Sequence, residues 1–426
     1  MNRPKRANRA VLTLASLATI LGLSIAHPAM ADNATSDLKL ENQALQNRVE
    51  DLSQELQILK KMVVQNQQAV AKATEDAGSP LNIVTSGNKD VSLKISGQVS
   101  RMALYADDGD ESRWFQADND NSSTRIRLEG KAKLDDEWSA GTNIEIQFES
   151  NSSADVTIDQ SASVIGSDSF TERKLELFLA SAEFGKLSLG QGDSASNGTA
   201  ETDLSGTALA SKSELATLGK KINFTRSGTE GTSAGTTIGD MFNNHDGLSR
   251  DDRLRYDSPS FSGAKLSTSW VDGDEWDVAL RYAKKFDGTE VALAGAYWDA
   301  GSTSLIDGYS ASGSVMLPFG TNLTLAYSAL NNQTVGRNDE DFFFAKLGQQ
   351  FKATSLGKTS ISIDYSQTND QKVNNDSGTV VSMAAVQKID KLGAELFAVV
   401  RQYDADIPNV LTENIMVGGV GARVKF

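Results

Sequence analysis

The sequence predicts an all-β fold: an antiparallel transmembrane β-barrel of about 16 strands, preceded by an α-helical coiled-coil arm. Three observations support this prediction: a basic and apolar leader, long stretches in which apolar and polar residues alternate, and an aromatic residue at the end of the chain. Strands with one apolar and one polar face cross a bilayer only in a closed barrel, because an open sheet edge leaves backbone groups unpaired in lipid.

Residues 1–31 have the pattern of a secretory signal peptide. A basic start is followed by the apolar run 10–26, and Ala29-Met30-Ala31 forms a small-x-small cleavage site. A membrane anchor is the alternative, but no stop-transfer flank follows the apolar run. With a formal net charge of −15 and no cysteine, the chain is an acidic exported protein whose fold must close without disulfides.

Residues 32–71 form a predicted coiled-coil arm, and residues 72–90 form a linker. Apolar residues fill two seams at heptad spacing, and the polar Asn42 in one of them is a common device for fixing register. A single amphipathic helix packed on another domain is the alternative, and the pattern leaves the number of associated helices open. The leucine seam consists of Leu38, Leu45, Leu52 and Leu59.

Residues 91–426 carry the barrel prediction because strand-like alternation recurs along this whole region. In Trp138–Phe148, for example, apolar and polar side chains alternate over a length that can cross a bilayer. Short turns such as Phe286–Gly288 alternate with longer polar loops such as Asp107–Ser122, and barrels place these on opposite sides of the membrane. A soluble β-sandwich with ordinary core aromatics is the alternative. Aromatic residues near strand ends predict interfacial girdles: Trp138, Tyr256, Trp270, Trp276, Tyr282, Tyr297 and Tyr327.

Enzymatic, metal-binding and nucleic-acid functions find little support in the composition. Beyond the leader the sequence has one histidine, His245, and no cysteine, so nucleophilic triads and zinc sites are not expected. Asp107–Glu111 and Asp118–Asn121 are calcium-like in composition, yet they lack the regular spacing and closing glutamate of a calcium loop. The acidic surplus argues against nucleic acid as a partner. We therefore expect no catalytic residues, no cofactor and no bound metal.

Three segments in order resemble the general bacterial outer-membrane porins. Arg253–Gly263 resembles their R-Y-x-S-P-x-F-x-G turn, Thr124–Gly130 is similar to their second strand, and Glu172–Gln191 is similar to their fourth strand, turn and fifth strand. The arm resembles that of a subset, the dicarboxylate-type porins, which carry an N-terminal coil. The resemblance implies a 16-stranded homotrimer with one pore in each subunit, whose third loop folds into the lumen.

The same resemblance implies a pore constriction in which acidic residues of the third loop face a basic ladder on the wall. The third loop is expected at about residues 192–218. The longer stretch 219–252 departs from the family and could add a hairpin at Lys221–Arg226 or enlarge the constriction. The expected ladder is Arg125, Arg127, Lys174, Arg253 and Arg255, and the expected acids are Asp193, Glu201, Asp203 and Glu214.

Together these observations predict a water-filled channel for passive diffusion of small hydrophilic solutes and ions. Inward positions of the predicted strands are largely small, polar or charged, which favours an aqueous lumen. The alternatives are a channel selective for anions such as dicarboxylates, and a tether from the outer membrane to the cell wall through the coil. We expect the barrel in the outer membrane of a Gram-negative bacterium and the arm in the periplasm. Expected partners are outer-membrane lipid and lipopolysaccharide, the barrel assembly machinery, which would recognise the terminal Phe426, and peptidoglycan as a candidate for the arm.

Overall fold

The computed structural model describes residues 87–88, 90–158, 170–229 and 231–426, without the side chains of 302 and 303. The predicted leader, the coiled-coil arm and most of the linker lie outside the described residues, and so does the seam of Leu38, Leu45, Leu52 and Leu59. In the part of the chain that is described, no helix is long and apolar enough to cross a membrane.

One antiparallel sheet closes on itself to form a barrel. Strand β1 pairs with β19 on one side and with β2 and β3 on the other, which seals the sheet. Because β2 and β3 lie end to end along β1, they fill one position, and the sheet has 16 strand positions. The predicted all-β barrel is confirmed. The strands are β1 (Val91–Asp107), β2 (Ser112–Asp118), β3 (Arg125–Lys133), β4 (Trp138–Phe148), β5 (Phe170–Ser181), β6 (Gly185–Asp193), β7 (Asn223–Thr225), β8 (Ser233–Thr237), β9 (Arg250–Asp257), β10 (Ala264–Val271), β11 (Glu275–Phe286), β12 (Thr289–Asp299), β13 (Ile306–Met316), β14 (Thr321–Asn332), β15 (Glu340–Thr354), β16 (Gly357–Asn369), β17 (Ser377–Ile389), β18 (Ala394–Asp406) and β19 (Ile415–Lys425).

Helical segments are short and lie outside the barrel sheet. The α-helices are α1 (Ile238–Met241) and α2 (Gly301–Ser304), and 3-10 turns form at Asp120–Ser122, Leu215–Thr217 and Asp390–Leu392. Strands β7 and β8 pair only with each other among the described residues, as a separate hairpin between β6 and β9.

The two ends of the barrel differ in their connections. At one end, β11 and β12 are joined by Asp287 and Gly288, both with positive φ (47° and 86°), the backbone that a two-residue hairpin turn requires. The other end carries the longer loops, including residues 194–249. The predicted long loop Asp107–Ser122 is wrong, since Ser112–Asp118 forms β2 and pairs with β1. In β2 the side chain of Trp114 points outward and that of Ala117 is buried on the inner side, which is the alternation expected of a strand in this sheet.

The outer surface of the barrel is apolar, as the alternation predicts. Leu175, Leu177 and Leu179 project outward from β5 and are exposed. Predicted girdle aromatics such as Trp270 and Tyr327 are exposed on this surface as well. The terminal Phe426 is exposed, and its main chain pairs with Gly97 in both directions, with N···O distances of 2.9 and 3.0 Å. The last residue therefore completes the sheet at the seam between β1 and β19.

The buried apolar core lies inside the barrel, between its wall and residues 194–249. Phe224 and Phe242 from that segment pack with Phe342 and Phe344 of β15 and with apolar residues of β17–β19 and β1. The rings of Phe242 and Tyr403 lie 5.2 Å apart. The expected polar lining is therefore interrupted on this side, because these inward positions receive the loop instead of water.

Candidate pore and its lining

Residues 194–249, here called the lumen loop, connect β6 to β9 and fold into the barrel. The first limb follows the inner wall from β11 to β15. The amide of Ser196 donates to Asp277 Oδ2 (2.7 Å), and the amide of Thr202 donates to Ser312 Oγ (3.0 Å). Further along, Lys346 Nζ donates to the carbonyl of Ser211 (2.6 Å). Wall side chains therefore satisfy the backbone of this non-helical segment, as a chain buried in a barrel requires.

The far part of the lumen loop is held from both sides of the barrel seam. On β18, the hydroxyl of Tyr403 donates to the carbonyl of Leu215 (2.8 Å). On the other side, Asn119 Nδ2 donates to the carbonyl of Leu209 (2.9 Å), from the break between β2 and β3. Ser153, in the loop after β4, donates through Oγ to the carbonyl of Thr217 (2.7 Å). The loop thus spans the lumen.

A return limb brings the lumen loop back to β9. It contains the β7–β8 hairpin, which occupies part of the unusually long stretch 219–252, and α1, which begins with a capping box between Thr237 and Asp240. Asp246 then accepts the amides of Gly198 (2.6 Å) and Ala200 (2.7 Å) from the first limb. Burial, with a further contribution from Glu201, raises the pKa of Asp246 to about 8. The two limbs are therefore joined through a buried carboxyl group whose pKa lies well above its ordinary value.

The basic wall of the lumen is centred on Glu145 of β4. Arg125 Nη1 lies 3.3 Å from Glu145 Oε1, Arg173 Nε lies 2.7 Å from the same oxygen, and Arg127 Nε lies 2.6 Å from Oε2. Glu145 is buried, whereas 45% of the Arg127 side chain is exposed. Three guanidinium groups share one carboxylate, so these four side chains together carry a net positive charge.

Arg173 was missed by the sequence analysis because of a register shift. Strict alternation points Arg173 and Lys174 to opposite faces, and only Lys174 was expected inside. The pairing of β4 with β5 shifts between Glu145 and Ile146, which turns both side chains toward the lumen. A bulge in a strand is hard to place from one sequence. The adjacent basic residues Arg173 and Lys174 were the one sign in the sequence that both side chains could face the lumen.

The expected ladder residues Lys174, Arg253 and Arg255 surround the start of the lumen loop. Lys174 pairs with Asp193, as does Arg250 (Nε–Oδ1, 2.7 Å). Arg253 is buried, pairs with Glu176 and donates to the carbonyl of Asp193 (2.9 Å). Arg255 donates to the carbonyl of Ser194 (2.7 Å) and to Asp257 Oδ1 (2.8 Å). These arginines position the loop through its backbone.

The expected acidic residues divide between the loop and the wall. Glu201 and Glu214 both pair with Lys212 of the same loop, the former at 3.2 Å. Asp203 pairs with Lys346 of β15 at 2.8 Å, and both groups are buried. For Glu214, burial raises the pKa, but Lys212 and, more weakly, Arg250 and Arg173 bring it below the ordinary value. Glu214 is therefore paired with Lys212, and Arg173 of the basic wall contributes only weakly to lowering its pKa.

A small cavity of about 310 Å³ adjoins this wall. Its lining includes Gln98, Ser122, Arg125, Arg127 and Lys425. Lys425 and Arg423 of β19 share Glu395. Three cationic side chains therefore line the cavity, beside the polar side chains of Gln98 and Ser122.

One ion pair lies on the outer surface of the barrel. Arg101 lies two residues after Val99, whose side chain is exposed on the outer face, so Arg101 points outward as well. Its Nη1 lies 2.7 Å from Asp118 Oδ1. Asp118 also accepts the amides of Ser150 (2.8 Å) and Asn151 (3.0 Å). Polar groups therefore interrupt the apolar coat beside β1 and β2.

No group of three or more His, Cys, Asp or Glu side chains is arranged to hold a metal ion in the described ranges. His245 is buried in the return limb, where its Nε2 lies 2.9 Å from Gln371 Nε2. Burial lowers the pKa of His245 to about 4, so it is neutral at physiological pH.

A closed barrel with an apolar exterior, a charged lumen and an inward-folded loop is the architecture of a membrane channel. The family described as Gram-negative porin matches residues 69–408. The chain belongs to this family, and its function is that of an outer-membrane channel for passive diffusion. Porins place the short turns in the periplasm and the long loops outside the cell. A comparison with curated proteins found no match.

Solved porin structures have the same fold at low sequence identity. The anion-selective porin from Comamonas acidovorans is 15% identical, with a TM-score of 0.55 over 79% of this chain and 100% of that one. The outer membrane channel DcaP of Acinetobacter baumannii is 12% identical, with a TM-score of 0.52 over 80% and 99%. The trimer form of OmpT from Vibrio cholerae is 14% identical, with a TM-score of 0.50 over 79% and 100%. These likenesses support the barrel fold.

Proposed function

We propose that this channel prefers anions, and that Arg125, Arg127 and Arg173 set the preference. The observation behind the proposal is that these three guanidinium groups share the single carboxylate of Glu145. A pore selects ions through the charge at its narrowest part, so the net charge of the whole chain does not determine whether anions or cations are preferred. The anion-selective porin from Comamonas acidovorans shares this fold, which agrees with the proposal.

In this mechanism the lumen loop narrows the pore and the basic wall attracts the solute. Glu201 and Glu214 hold Lys212 at the loop edge, and Asp203 fixes the loop to Lys346. The start of the loop is held at Asp193. Its carboxylate pairs with Lys174 and Arg250, and its carbonyl accepts hydrogen bonds from Arg253 and Arg255. A solute that carries both charges would be oriented between Glu214 and the arginines of the wall.

Selectivity for dicarboxylates is the second candidate, and the cavity beside Arg125, Arg127 and Lys425 favours it. Two carboxylates on one small solute could each meet a separate cationic donor there. Added succinate would then block chloride current at concentrations where acetate does not.

The experiment is the reversal potential of single channels in a KCl gradient. We expect an anion-side reversal potential that moves toward zero in Arg125→Gln and Arg127→Gln. Lys284→Gln is the matched control, because Lys284 lies at period two with the outward Tyr282 and Phe286. A cation-side potential in the wild type would reject the proposal, and so would an equal shift in the control.

We further propose that the channel is a homotrimer whose contact surface includes Arg101 and Asp118. An arginine on the lipid-facing surface of a barrel costs about 2–4 kcal/mol near the bilayer midplane, so this pair is better placed against protein. Three further points stay predictions. They are a periplasmic coiled-coil arm that tethers the barrel to peptidoglycan, contact with lipopolysaccharide, and recognition of Phe426 by the barrel assembly machinery.

A further inference from the structure

The inner wall near the periplasmic end carries unpaired lysines. They lie at inward positions of β15, β16 and β17 on one side of the seam and of β1 and β3 on the other. Strands β18 and β19 lie between these two groups. Among the described residues, none of them has an ion-pair partner within 4.0 Å. We call them the lysine arc: Lys94, Lys131, Lys133, Lys352, Lys358 and Lys388. Glu129 of β3, the cross-strand partner of Lys94, faces the same side as the arc and offsets part of this charge. Acidic turn residues such as Asp136 and Glu137 lie beyond the strand ends and offset a further part.

The extracellular end carries the opposite charge. Exposed carboxylates lie at the ends of the strands and in the loops between them, and in the described ranges they too form no ion pair. We call them the acidic rim: Asp110, Glu111, Asp251, Asp272, Asp274 and Asp339. Two cations of this end are neutralised locally, since Arg337 pairs with Glu340 and Lys372 with Asp240. Lys220 and Arg226 offset part of the remaining negative charge.

The two charged mouths are far enough apart to act separately. A strand such as β16 has 13 residues. At about 3.3 Å per residue and a tilt of about 40°, it spans roughly 30 Å along the barrel axis. The Debye length is only about 10 Å at 0.1 M salt. An ion in one mouth therefore responds to the charge of that mouth and hardly to the other.

We propose that the channel rectifies, carrying more current when the extracellular side is positive. With that polarity cations enter through the acidic rim and anions enter through the lysine arc, so each mouth concentrates the ion that is entering. Both ions accumulate in the pore and its conductance rises. With the opposite polarity each mouth repels the ion that must enter, and the pore is depleted. The inference goes beyond the proposed anion preference and needs only the open channel.

The test is the current–voltage curve of single channels whose orientation is known. The native chain has no cysteine, so Val335→Cys in the fully exposed β14–β15 loop can be biotinylated at one position. Streptavidin added to either chamber then identifies the extracellular side. We expect about twofold more current at +100 mV than at −100 mV on that side in 0.1 M KCl, and a ratio near one in 1 M KCl, where the Debye length is about 3 Å.

The triple variant Lys352→Gln, Lys358→Gln, Lys388→Gln should lower this ratio, while Lys284→Gln on the outer surface should leave it unchanged. Asp272→Asn with Asp274→Asn tests the other mouth independently and should also lower it. Symmetric current at 0.1 M, the reverse polarity, or a ratio insensitive to both sets of variants would overturn the proposal. The reversal potential is measured on the same channels, so a rectifying but cation-selective channel would reject only the proposed anion preference.

Discussion

Replacing Glu145 with glutamine should make the channel more anion-selective. Glutamine keeps the shape of the side chain and an acceptor for the arginines, but it removes the carboxylate charge that Arg125, Arg127 and Arg173 share. Most damaging substitutions weaken selectivity. A gain in anion preference is therefore a result that general disruption of the pore would not produce.

The size of the gain can be worked from Coulomb's law. One added unit of positive charge about 5 Å from the ion path contributes about 0.8 kcal/mol in water, and screening at 0.1 M salt reduces this to about 0.5 kcal/mol. Chloride is favoured and potassium is disfavoured by that amount, so their ratio changes by about 1 kcal/mol. This corresponds to a roughly fivefold rise in the permeability ratio of chloride to potassium.

The assay is the reversal potential of Glu145→Gln beside wild type in the same KCl gradient. Arg173→Gln provides the opposite change and should lower the ratio by a similar factor. An unchanged or lowered ratio in a Glu145→Gln channel of wild-type conductance would refute the view that this cluster lines the ion path. Heat-modified gel mobility checks that the barrel remains folded despite the added repulsion between the arginines.

Three further predictions concern the lumen loop and the outer surface. Phe242→Ala should remove about 3–5 kcal/mol of packing between the loop and the wall and give larger, noisier conductance, whereas Phe343→Ala on the outer face should not. The pKa of Asp246 is raised in the folded loop, so its protonated form stabilises the fold. This stabilisation is complete below about pH 4 and is lost as the pH rises through about 8. Asp246→Asn should remove this pH dependence from thermal unfolding curves. Arg101→Ala should leave Asp118 without its cationic partner and shift trimers toward monomers on semi-native gels, and unchanged trimers would argue against this contact surface.

The strands were predictable because the lipid imposes a simple rule on them. Most outward positions must be apolar, so alternation alone predicts strands such as Trp138–Phe148 and the last strand, Ile415–Lys425. The outward position of aromatics such as Trp270 follows from the same rule. The bilayer acts on each residue separately, and a single sequence contains this information.

The lumen followed no such rule, and there the predictions were less complete. Arg173 turns inward only because β4 and β5 shift register, which depends on both strands together. Phe397 and Val399 of β18 face inward because the lumen loop covers them, a contact between distant parts of the chain. The resemblance to porins placed Arg253 in the ladder, but its burial reflects its bonds to the loop backbone. These features depend on tertiary contacts that periodicity does not encode.

The anchoring of the lumen loop on both sides of the β1–β19 seam has a consequence for assembly. One set of contacts is to Tyr403 of β18 and the other is to Asn119, between β2 and β3. These two residues lie on opposite sides of the seam, so they can hold the same loop only when the first and last strands have paired. The loop can therefore finish docking only after the sheet has closed, and protection of residues 194–249 from protease should mark the moment at which a nascent barrel becomes sealed.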